Sequence, residues 1–338
     1  MTGPSRSPAG APTTGFPELA TADLAEIGRI EVRGQDRVEF LHRILACAVT
    51  DLSPGAIRPG CLLTPKGRVR ALFLLGAGES AHRLDVEARF APGLARAIEA
   101  FHFGERVEIE DVSARTRAIG VLGPASPRAL AAIGIAELPA RGRFSRTSFE
   151  GTETEAARLD AIAEPFFVLR APADRAAAVA ERLRASIAGA RVLRAEEIEA
   201  LRIEAGIPRY GVDVDETHYP HEASIEGACS ISKGCYPGQE VAARLTTYQG
   251  FKRRPVLLAF DGEEPPPTGA GALAEDGSEV GTVTSCAFSP GLRRAIALAI
   301  VQKEAAVPGT KVRVDAAGRT WHASVRERAV PCSLEPGR

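Results

Sequence analysis

A change of pattern near residue 250 is the feature that most constrains how this chain of 338 residues can fold. Before it, from about residue 25, apolar segments of strand length alternate with segments of helical spacing. In one of these, Val179, Leu183 and Ile187 recur every four residues, which predicts an amphipathic helix that begins at Pro172. After it, strand-length segments follow one another between turn residues, without helical spacing. The sequence therefore predicts an α+β region followed by a small all-β domain, a barrel.

The expected domain boundaries follow from the same segments. Residues 1–20 are a tail rich in Pro, Gly, Ser and Thr, which we expect to be disordered. Residues 21–250 hold two α+β units of roughly 90 residues each, and this pattern suggests ferredoxin-like halves. Residues 251–330 form the β domain, and residues 331–338 are a second tail.

Charge and cysteine content exclude several classes of protein. The chain has 42 Lys and Arg residues against 43 Asp and Glu residues, so its net charge is −1. A protein that grips nucleic-acid backbone needs a surplus of cations, so we expect no direct stable nucleic-acid binding. The sequence has no apolar run of membrane-spanning length and no secretion-signal core. Six scattered cysteines without a CxxC pair predict a cytoplasmic protein with reduced thiols and no metal site.

Common cofactor and hydrolase motifs are absent from the sequence. No glycine-rich dinucleotide loop follows a strand, and the segment Gly227 to Lys233 has Ser232 where a phosphate loop needs its second glycine. Neither a GxSxG elbow nor an HExxH helix is present. Function therefore depends on other stretches of the chain.

The densest of these stretches runs from Lys233 to Glu240 and reads KGCYPGQE. Two glycines and a proline around Cys235 force a tight loop. The positive charge of a lysine two residues before a cysteine stabilises the thiolate form of that cysteine. One hypothesis is therefore that Cys235 acts as a nucleophile or a soft metal ligand and that Lys233 increases its reactivity. The alternative is a tight turn that caps a helix, with Cys235 as a small buried side chain.

A second stretch, LRIEAGIP from Leu201 to Pro208, places Glu204 in the last turn of a helix predicted over residues 196–205. A carboxylate there faces the negative end of the helix macrodipole. A ligand that offers N–H donors, such as a pterin ring, is one partner that would hold Glu204. An ordinary salt bridge to Arg202 or to another arginine is the alternative.

Two further groups of residues carry weaker signals. The segment from Thr64 to Arg68 reads TPKGR and predicts a hairpin turn with two cations, which a solvated turn explains equally well. His218, His221 and Glu222 are conceivable metal ligands, but their spacing is not diagnostic of a metal site. We therefore assign no metal ligand.

Together these stretches resemble the YgfZ branch of the superfamily that includes the glycine-cleavage T-protein. The segment from Lys233 to Glu240 matches the K-G-C-Y/F-x-G-Q-E signature of that branch in full. Four other elements have the family form and occur in the same order: Val32 to Asp36 with Phe40 and Leu41, Thr64 to Arg68, Arg202 to Pro208, and Gly281 to Ser285. The resemblance spans about residues 25–325.

The resemblance implies an architecture. Two ferredoxin-like domains and a C-terminal β-barrel would be arranged as a clover leaf around a central hole. The first domain would be discontinuous, with the second, at about residues 50–112, inserted into it. The overall fold class is thus α+β with a small barrel.

The resemblance also implies a cofactor, tetrahydrofolate or a derivative. Glu204 would hold the pterin, and Arg253 or Arg254, just before the barrel, would lie near the folate. Within the KGCYPGQE segment, Tyr236 and Gln239 are further candidates for folate binding. Pterin N–H groups would give the carboxylate at the helix end the partner that the macrodipole denies it.

One departure from the family pattern bears on the reaction. The T-protein transfers a methylene group with an aspartate pair shortly after the hairpin glycine. Here the residues after Gly67 are RVRAL, from Arg68 to Leu72, and include no carboxylate. This absence counts against aminomethyl transfer, and whether the chain is an enzyme stays open.

The resemblance to the YgfZ branch implies a folate-dependent accessory factor for iron–sulfur proteins or their assembly machinery. Such a factor supports cluster assembly or repair and, through cluster enzymes, tRNA modification. Cys235 would be its reactive group, assisted by Lys233. The alternatives are a folate-dependent one-carbon transferase or demethylase, and a folate-binding module without catalysis in which Cys235 merely packs.

Overall fold

The computed structural model describes residues 17–163 and 165–326. Residues 1–16 of the expected N-terminal tail, and the whole of the expected tail at 331–338, lie outside the described residues. The N-terminal tail was predicted to extend to residue 20, but this boundary is wrong. Leu19 is fully buried in the core beneath the first large sheet, and Ala20 begins a strand of that sheet.

Within the described residues the chain forms seventeen strands and six α-helices. The strands are β1 (Ala20–Asp23), β2 (Ile27–Arg33), β3 (Ile57–Leu63), β4 (Val69–Ala77), β5 (Ala81–Glu87), β6 (Glu108–Asp111), β7 (Thr116–Leu122), β8 (Arg143–Phe149), β9 (Thr152–Arg158), β10 (Phe166–Pro172), β11 (Arg191–Leu193), β12 (Arg253–Phe260), β13 (Gly271–Leu273), β14 (Glu279–Ser289), β15 (Arg294–Gln302), β16 (Lys311–Ala316) and β17 (Arg319–Arg326). The helices are α1 (Arg37–Ile44), α2 (Ala91–Glu99), α3 (Ser126–Ala132), α4 (Ala176–Ala185), α5 (Ala195–Glu204) and α6 (Gln239–Tyr248).

The first large sheet has six strands in the order β11-β1-β7-β10-β9-β8. Helices α3 and α4 cover one of its faces through a core that includes Val121, Phe167 and Val179. The amphipathic helix predicted here is confirmed for Val179 and Leu183, which are its buried residues. Ile187 lies two residues beyond the end of the helix, although it is buried in the same core.

The predicted start of helix α4 is wrong by four residues. Pro172 still pairs with Thr116 as the last residue of β10, and the helix begins only at Ala176. A proline can occupy the end of a strand because its missing N–H is not needed there. The helical spacing alone does not reveal this pairing.

The second sheet has five strands in the order β3-β4-β5-β2-β6, and helices α1 and α2 cover one face. All of it lies in sequence between β1 and β7 of the first sheet, so the first unit is discontinuous. The expected start of the inserted unit at about residue 50 does not match this sheet. Strand β2, which begins at Ile27, pairs with β5 on one side and β6 on the other.

A buried network of charged side chains joins the two sheets. From the five-stranded sheet, Arg29 donates to Asp85 at 2.7 Å, and Arg83 forms an ion pair with Glu155 of the six-stranded sheet. Arg29 also reaches Glu155 at 2.9 Å, and Arg170 lies 3.4 Å from Asp85. Such a cluster is costly to desolvate and is retained only when its members are mutually paired. The pairing fixes how the two sheets face each other.

The C-terminal unit is a closed six-stranded barrel with the strand order β12-β15-β14-β13-β16-β17. The predicted all-β barrel is therefore confirmed. Alanines and valines fill much of its interior, together with the side chains of Phe260 and Trp321. Helix α5 packs on its outside through Ile203, which contacts Leu257 and Leu298.

The barrel leaves no room for a side chain at Gly281 of β14. A Cβ atom there would lie 2.2 Å from the carbonyl oxygen of Ile300 and 2.7 Å from the Cα of Val301. We expect Gly281→Ala to lower the free energy of unfolding of the barrel by roughly 1–3 kcal/mol, as overpacking does elsewhere. Urea titration monitored by the fluorescence of Trp321, the single tryptophan, measures it.

Gly271 of β13 supplies the matched control, since a Cβ atom there would meet its nearest neighbour, the Glu279 side chain, at 3.9 Å. Gly271→Ala should change the same unfolding free energy by less than about 0.5 kcal/mol. Equal effects of the two substitutions would contradict the packing argument.

Candidate functional site

The structure brings two of the predicted motifs into direct contact. The hairpin turn between β3 and β4 closes with the Thr64 amide donating to the Arg68 carbonyl at 2.8 Å, which confirms the predicted hairpin. Gly67 in this turn and Gly238, which precedes α6, both have positive φ, at 73° and 80°. A Cβ on Gly238 would lie 2.8 Å from the Cα of Gly67. Both positions therefore require glycine, for conformation and for space.

Lys233 fastens the start of the KGCYPGQE loop to the end of helix α1. Its ammonium donates to the carbonyl oxygen of His42, and its own carbonyl lies 3.0 Å from Nε2 of the His42 ring. The Val49 amide donates to Nδ1 of the same ring at 3.1 Å, so Nε2 carries the proton and donates to the Lys233 carbonyl. Burial lowers the pKa of Lys233. The ammonium also lies 4.8 Å from the centre of the Tyr236 ring.

Cys235 is exposed and lines a surface cleft of about 300 Å³. The interpretation of Cys235 as a small buried side chain is therefore wrong, although the loop does cap a helix, since Gly238 is the N-cap of α6. The other residues that line the cleft are Asp36, Glu39, Phe40, His42, Arg43, Glu105 and Lys233. This arrangement leaves the thiol accessible among side chains of both charges.

The two other motif residues assigned to folate lie differently from each other. Tyr236 is buried in an apolar cluster with Leu63, Val69 and Ala242, and burial raises the pKa of its phenol. Among the described residues its hydroxyl has no hydrogen-bond partner. Gln239 is the partly exposed first residue of α6. Tyr236 thus serves the packing of the loop, and Gln239 remains available at the helix start.

Glu204 ends helix α5, as predicted, and lies against the barrel. The hydroxyl of Ser289, at the end of β14, donates to its Oε1 atom. Burial raises the pKa of Glu204 above its usual 4.5, and the Ser289 hydrogen bond opposes this shift. The carboxylate is thus partly desolvated and receives a neutral donor.

The alternative of a salt bridge between Glu204 and Arg202 is wrong, because Arg202 is engaged elsewhere. Its guanidinium donates to Glu199 at 2.7 Å and to Asp213 at 2.7 Å. It also donates to the hydroxyl of Ser285 in the barrel, at 2.7 Å. Arg202 therefore ties helix α5 to the following loop and to the barrel, and this network sets the position of Glu204.

Both arginines predicted near the folate lie at the start of β12 and pair with acidic side chains. Arg253 contacts both carboxylate oxygens of Glu222 at 3.4 Å. Arg254 donates to Glu226 at 3.0 Å and to the Ser224 hydroxyl at 3.2 Å. These pairs join the barrel to the segment that precedes the KGCYPGQE loop.

The three conceivable metal ligands have other partners. His218 binds Asp215 at 2.8 Å, and His221 binds the Thr246 hydroxyl at 2.9 Å. Glu222 pairs with Arg253. Within residues 17–163 and 165–326, no group of three or more His, Cys, Asp or Glu side chains is arranged to hold a metal ion.

Comparison with known families identifies the chain. The model described as the GCVT N-terminal domain matches residues 18–233, and the glycine cleavage T-protein C-terminal barrel domain matches residues 253–330. The chain belongs to the glycine cleavage T-protein family. This confirms the resemblance at the level of the T-protein superfamily, whereas assignment to the YgfZ branch stays a prediction.

Individual proteins are similar to this chain over most of its length. An aminomethyltransferase of Geobacillus kaustophilus is 30% identical over 90% of this chain and 84% of its own length. A mitochondrial dimethylglycine dehydrogenase of Mus musculus is 25% identical over 95% of this chain but only 38% of its own length. The glycine cleavage system aminomethyltransferase T from Bartonella henselae has the same fold, with a TM-score of 0.83, 22% identity and coverage of 94% and 87%.

Three residues of the candidate site were not predicted from the sequence. Ser289 lies 85 positions from Glu204, and no motif links the two. His42 holds Lys233 from 191 positions away, again without a sequence signal. Asp213 lies five residues after the second motif stretch, and its carboxylate, 11 positions from Arg202, is the one available signal. In the part of the chain that the structure describes, no helix is long and apolar enough to cross a membrane.

The raised pKa of Glu204 predicts an unusual effect of Glu204→Gln. Folding favours the protonated carboxyl, so stability falls as pH rises from 4.5 through the raised pKa. Glutamine cannot ionise and still accepts from Ser289. We therefore expect the variant to melt at a higher temperature than the wild type at pH 7.5, with the difference vanishing near pH 4. Thermal unfolding across this pH range measures it.

Glu197 in the first turn of the same helix gives a control of opposite sign. The Arg194 amide, which donates to its carboxylate, lowers the pKa of Glu197. Its ionised form therefore stabilises the fold above the usual pKa, and Glu197→Gln should lower the melting temperature at pH 7.5. A lower melting temperature for Glu204→Gln at pH 7.5 would show that ionised Glu204 stabilises the protein.

Proposed function

We propose that this T-protein family member binds a reduced folate, tetrahydrofolate or a derivative, and that Glu204 holds the pterin ring. The observation that carries the proposal is the state of this carboxylate. It is partly buried at the C-terminal end of α5, and the donor it receives is the neutral hydroxyl of Ser289. A helix C-terminus disfavours a negative charge, and burial adds to the cost.

The chemistry of the site fits a pterin. A carboxylate accepts hydrogen bonds at both oxygens, and Ser289 engages only Oε1 of Glu204. A pterin ring presents adjacent N–H donors in one plane, which suit the two oxygens of a carboxylate. Arg253 and Arg254 lie at the start of the barrel, each paired with a glutamate, and the acidic end of a folate would compete with that glutamate for the guanidinium.

The relatives favour one-carbon transfer as the use of the folate. The aminomethyltransferase of Geobacillus kaustophilus matches this chain along most of both lengths. One feature of the chain opposes the same reaction, since Arg68 to Leu72, the residues that follow Gly67, include two arginines and no carboxylate. A transferase built on this chain would take its base from another element, and we propose one-carbon transfer from a small amine donor without a lipoyl carrier.

The exposed thiol supports a second candidate, a folate-dependent accessory factor for iron–sulfur proteins. Cys235 is accessible in its cleft, as transient attack on a partner's sulfur or metal requires. One cysteine cannot supply the ligands of a stably held cluster, so the contact would be temporary. An effect on tRNA modification would pass through cluster enzymes in the cytoplasm, in keeping with the net charge of −1.

Direct titration with tetrahydrofolate under anaerobic conditions tests the shared part of both candidates. We expect Glu204→Ala to weaken binding about 10- to 100-fold, the usual effect of losing a hydrogen bond to a charged group. Isothermal calorimetry gives the dissociation constants.

Glu196→Ala is the matched control for this titration, because Glu196 is an exposed residue at the opposite end of helix α5. Its affinity should equal that of the wild type. Unchanged affinity in Glu204→Ala would remove this residue from the folate site, and equal losses in both variants would point to a general effect on the helix.

The two candidates differ in what Cys235→Ser does. If the protein is an accessory factor, the Cys235→Ser variant should fail to restore the activity of iron–sulfur enzymes in a strain that lacks the native protein. Cys286→Ser, which alters a partly buried thiol in the barrel, should restore it fully.

A one-carbon transferase predicts a different result. Purified protein would form methylenetetrahydrofolate from a small amine donor at a measurable rate, and cluster enzymes would not depend on Cys235. Full restoration by Cys235→Ser therefore rejects the accessory role of the thiol without touching the folate site.

A further inference from the structure

A pair of thiols outside the proposed folate site lies in contact beneath the KGCYPGQE loop. Cys61 is fully buried on β3, and Cys229 is partly buried four residues before Lys233. Their Sγ atoms are 3.4 Å apart, so they are in contact but are not bonded to each other. They are 168 positions apart in the sequence, so only the fold brings them together.

Backbone hydrogen bonds on both sides hold this pair in place. The amide of Ala46 donates to the Cys61 carbonyl at 3.0 Å, and the Ala46 carbonyl accepts from the Ser230 amide at 2.9 Å. One residue thus clamps strand β3 and the segment that carries Cys229. The main chain therefore holds the two sulfur atoms 3.4 Å apart, and a disulfide requires them to close to about 2.05 Å.

We propose that Cys61 and Cys229 form a reversible disulfide, with a hydroperoxide as the oxidant. The Cys229 sulfur attacks one peroxide oxygen, which gives a sulfenic acid and releases water or an alcohol. The Cys61 sulfur then attacks the Cys229 sulfur, and the displaced hydroxyl group leaves as water with the proton of the Cys61 thiol. Two thiols lose two electrons and two protons, and the peroxide is reduced by two electrons.

The different burial of the two thiols suits these two steps. Cys229 is partly exposed, which gives a small oxidant access to one sulfur. Cys61 is enclosed, so it is shielded from the oxidant and adjacent to the sulfur that is oxidised first, which favours the disulfide over further oxidation. The bond would tie the segment that leads into Lys233 and Cys235 to strand β3, independently of any folate.

A third thiol nearby serves as an internal control. Cys47 is as deeply buried as Cys61, and burial raises its pKa to about 12. It belongs to the core between the sheet and helix α1. If mere proximity of buried thiols sufficed, Cys47 would also link to Cys229.

The test uses the full-length protein with Cys235→Ser, which removes the exposed thiol from the reaction. The reduced protein is treated with hydrogen peroxide, blocked with N-ethylmaleimide and digested with trypsin without reduction. Cys229 lies in the peptide of residues 210–233, and Cys61 shares the peptide of residues 44–66 with Cys47. We expect these two peptides to appear joined and to separate after dithiothreitol. The joined mass should be two hydrogen atoms below the sum of the Cys229 peptide and the 44–66 peptide that carries maleimide on Cys47.

Two further variants assign the bond within the shared peptide. The joined pair should persist in Cys47→Ser and disappear in Cys61→Ser. Circular dichroism of each variant confirms that it is folded, and Cys61→Ala replaces Cys61→Ser if the serine variant is not. Oxidation should also slow amide hydrogen exchange across residues 229–238, because the bond fixes the start of the loop.

Two results would overturn the proposal. In the first, no joined peptide forms at peroxide doses that oxidise Cys229 or other thiols of the protein. Cys229 is then recovered either unoxidised, as the maleimide adduct, or over-oxidised, as sulfinic or sulfonic acid. In the second, the joined peptide depends on Cys47 rather than on Cys61.

Discussion

The buried ion pair between Arg202 and Asp213 is the interaction on which the candidate folate site depends. Burying two charges is costly unless their remaining polar atoms are also satisfied. Here Arg202 also donates to Glu199 and Ser285, and Asp213 accepts from Ser285, Thr284 and the backbone of Arg209. Helix, loop and barrel are locked together in one network. Glu204, two residues from Arg202, is held beside Ser289 without needing a cation of its own.

A different constraint places Cys235. The hairpin turn and the KGCYPGQE loop touch at Gly67 and Gly238, where both backbones have positive φ and neither has space for a Cβ atom. Lys233 and His42 then fasten the other end of the loop through reciprocal contacts with each other's backbone. The thiol is therefore presented by a loop fixed at both ends, which limits the entropy lost when it meets a partner.

The fold was largely predictable because it rests on local patterns. The spacing of Val179 and Leu183 specifies α4, and the change of pattern near residue 250 specifies the barrel. The predicted element boundaries are wrong where contacts with distant segments decide them. Pro172 pairs with a neighbouring strand as the last residue of β10, and Leu19 is buried in the core. The site was predictable only in its motif residues. Partners such as Ser289 come from distant segments, and periodicity carries no information about contacts across such separations.

Lys233 has a structural role, and this role bears on how the reactivity of Cys235 is explained. The sequence suggested that this ammonium tunes Cys235, but the structure directs it to the end of α1 and to the Tyr236 ring. A cation at a helix C-terminus is favoured by the macrodipole, which accounts for a lysine here. A compact ammonium suits a single carbonyl acceptor better than the planar fork of an arginine. Accessibility, rather than direct contact with Lys233, is therefore what equips Cys235 for a reaction.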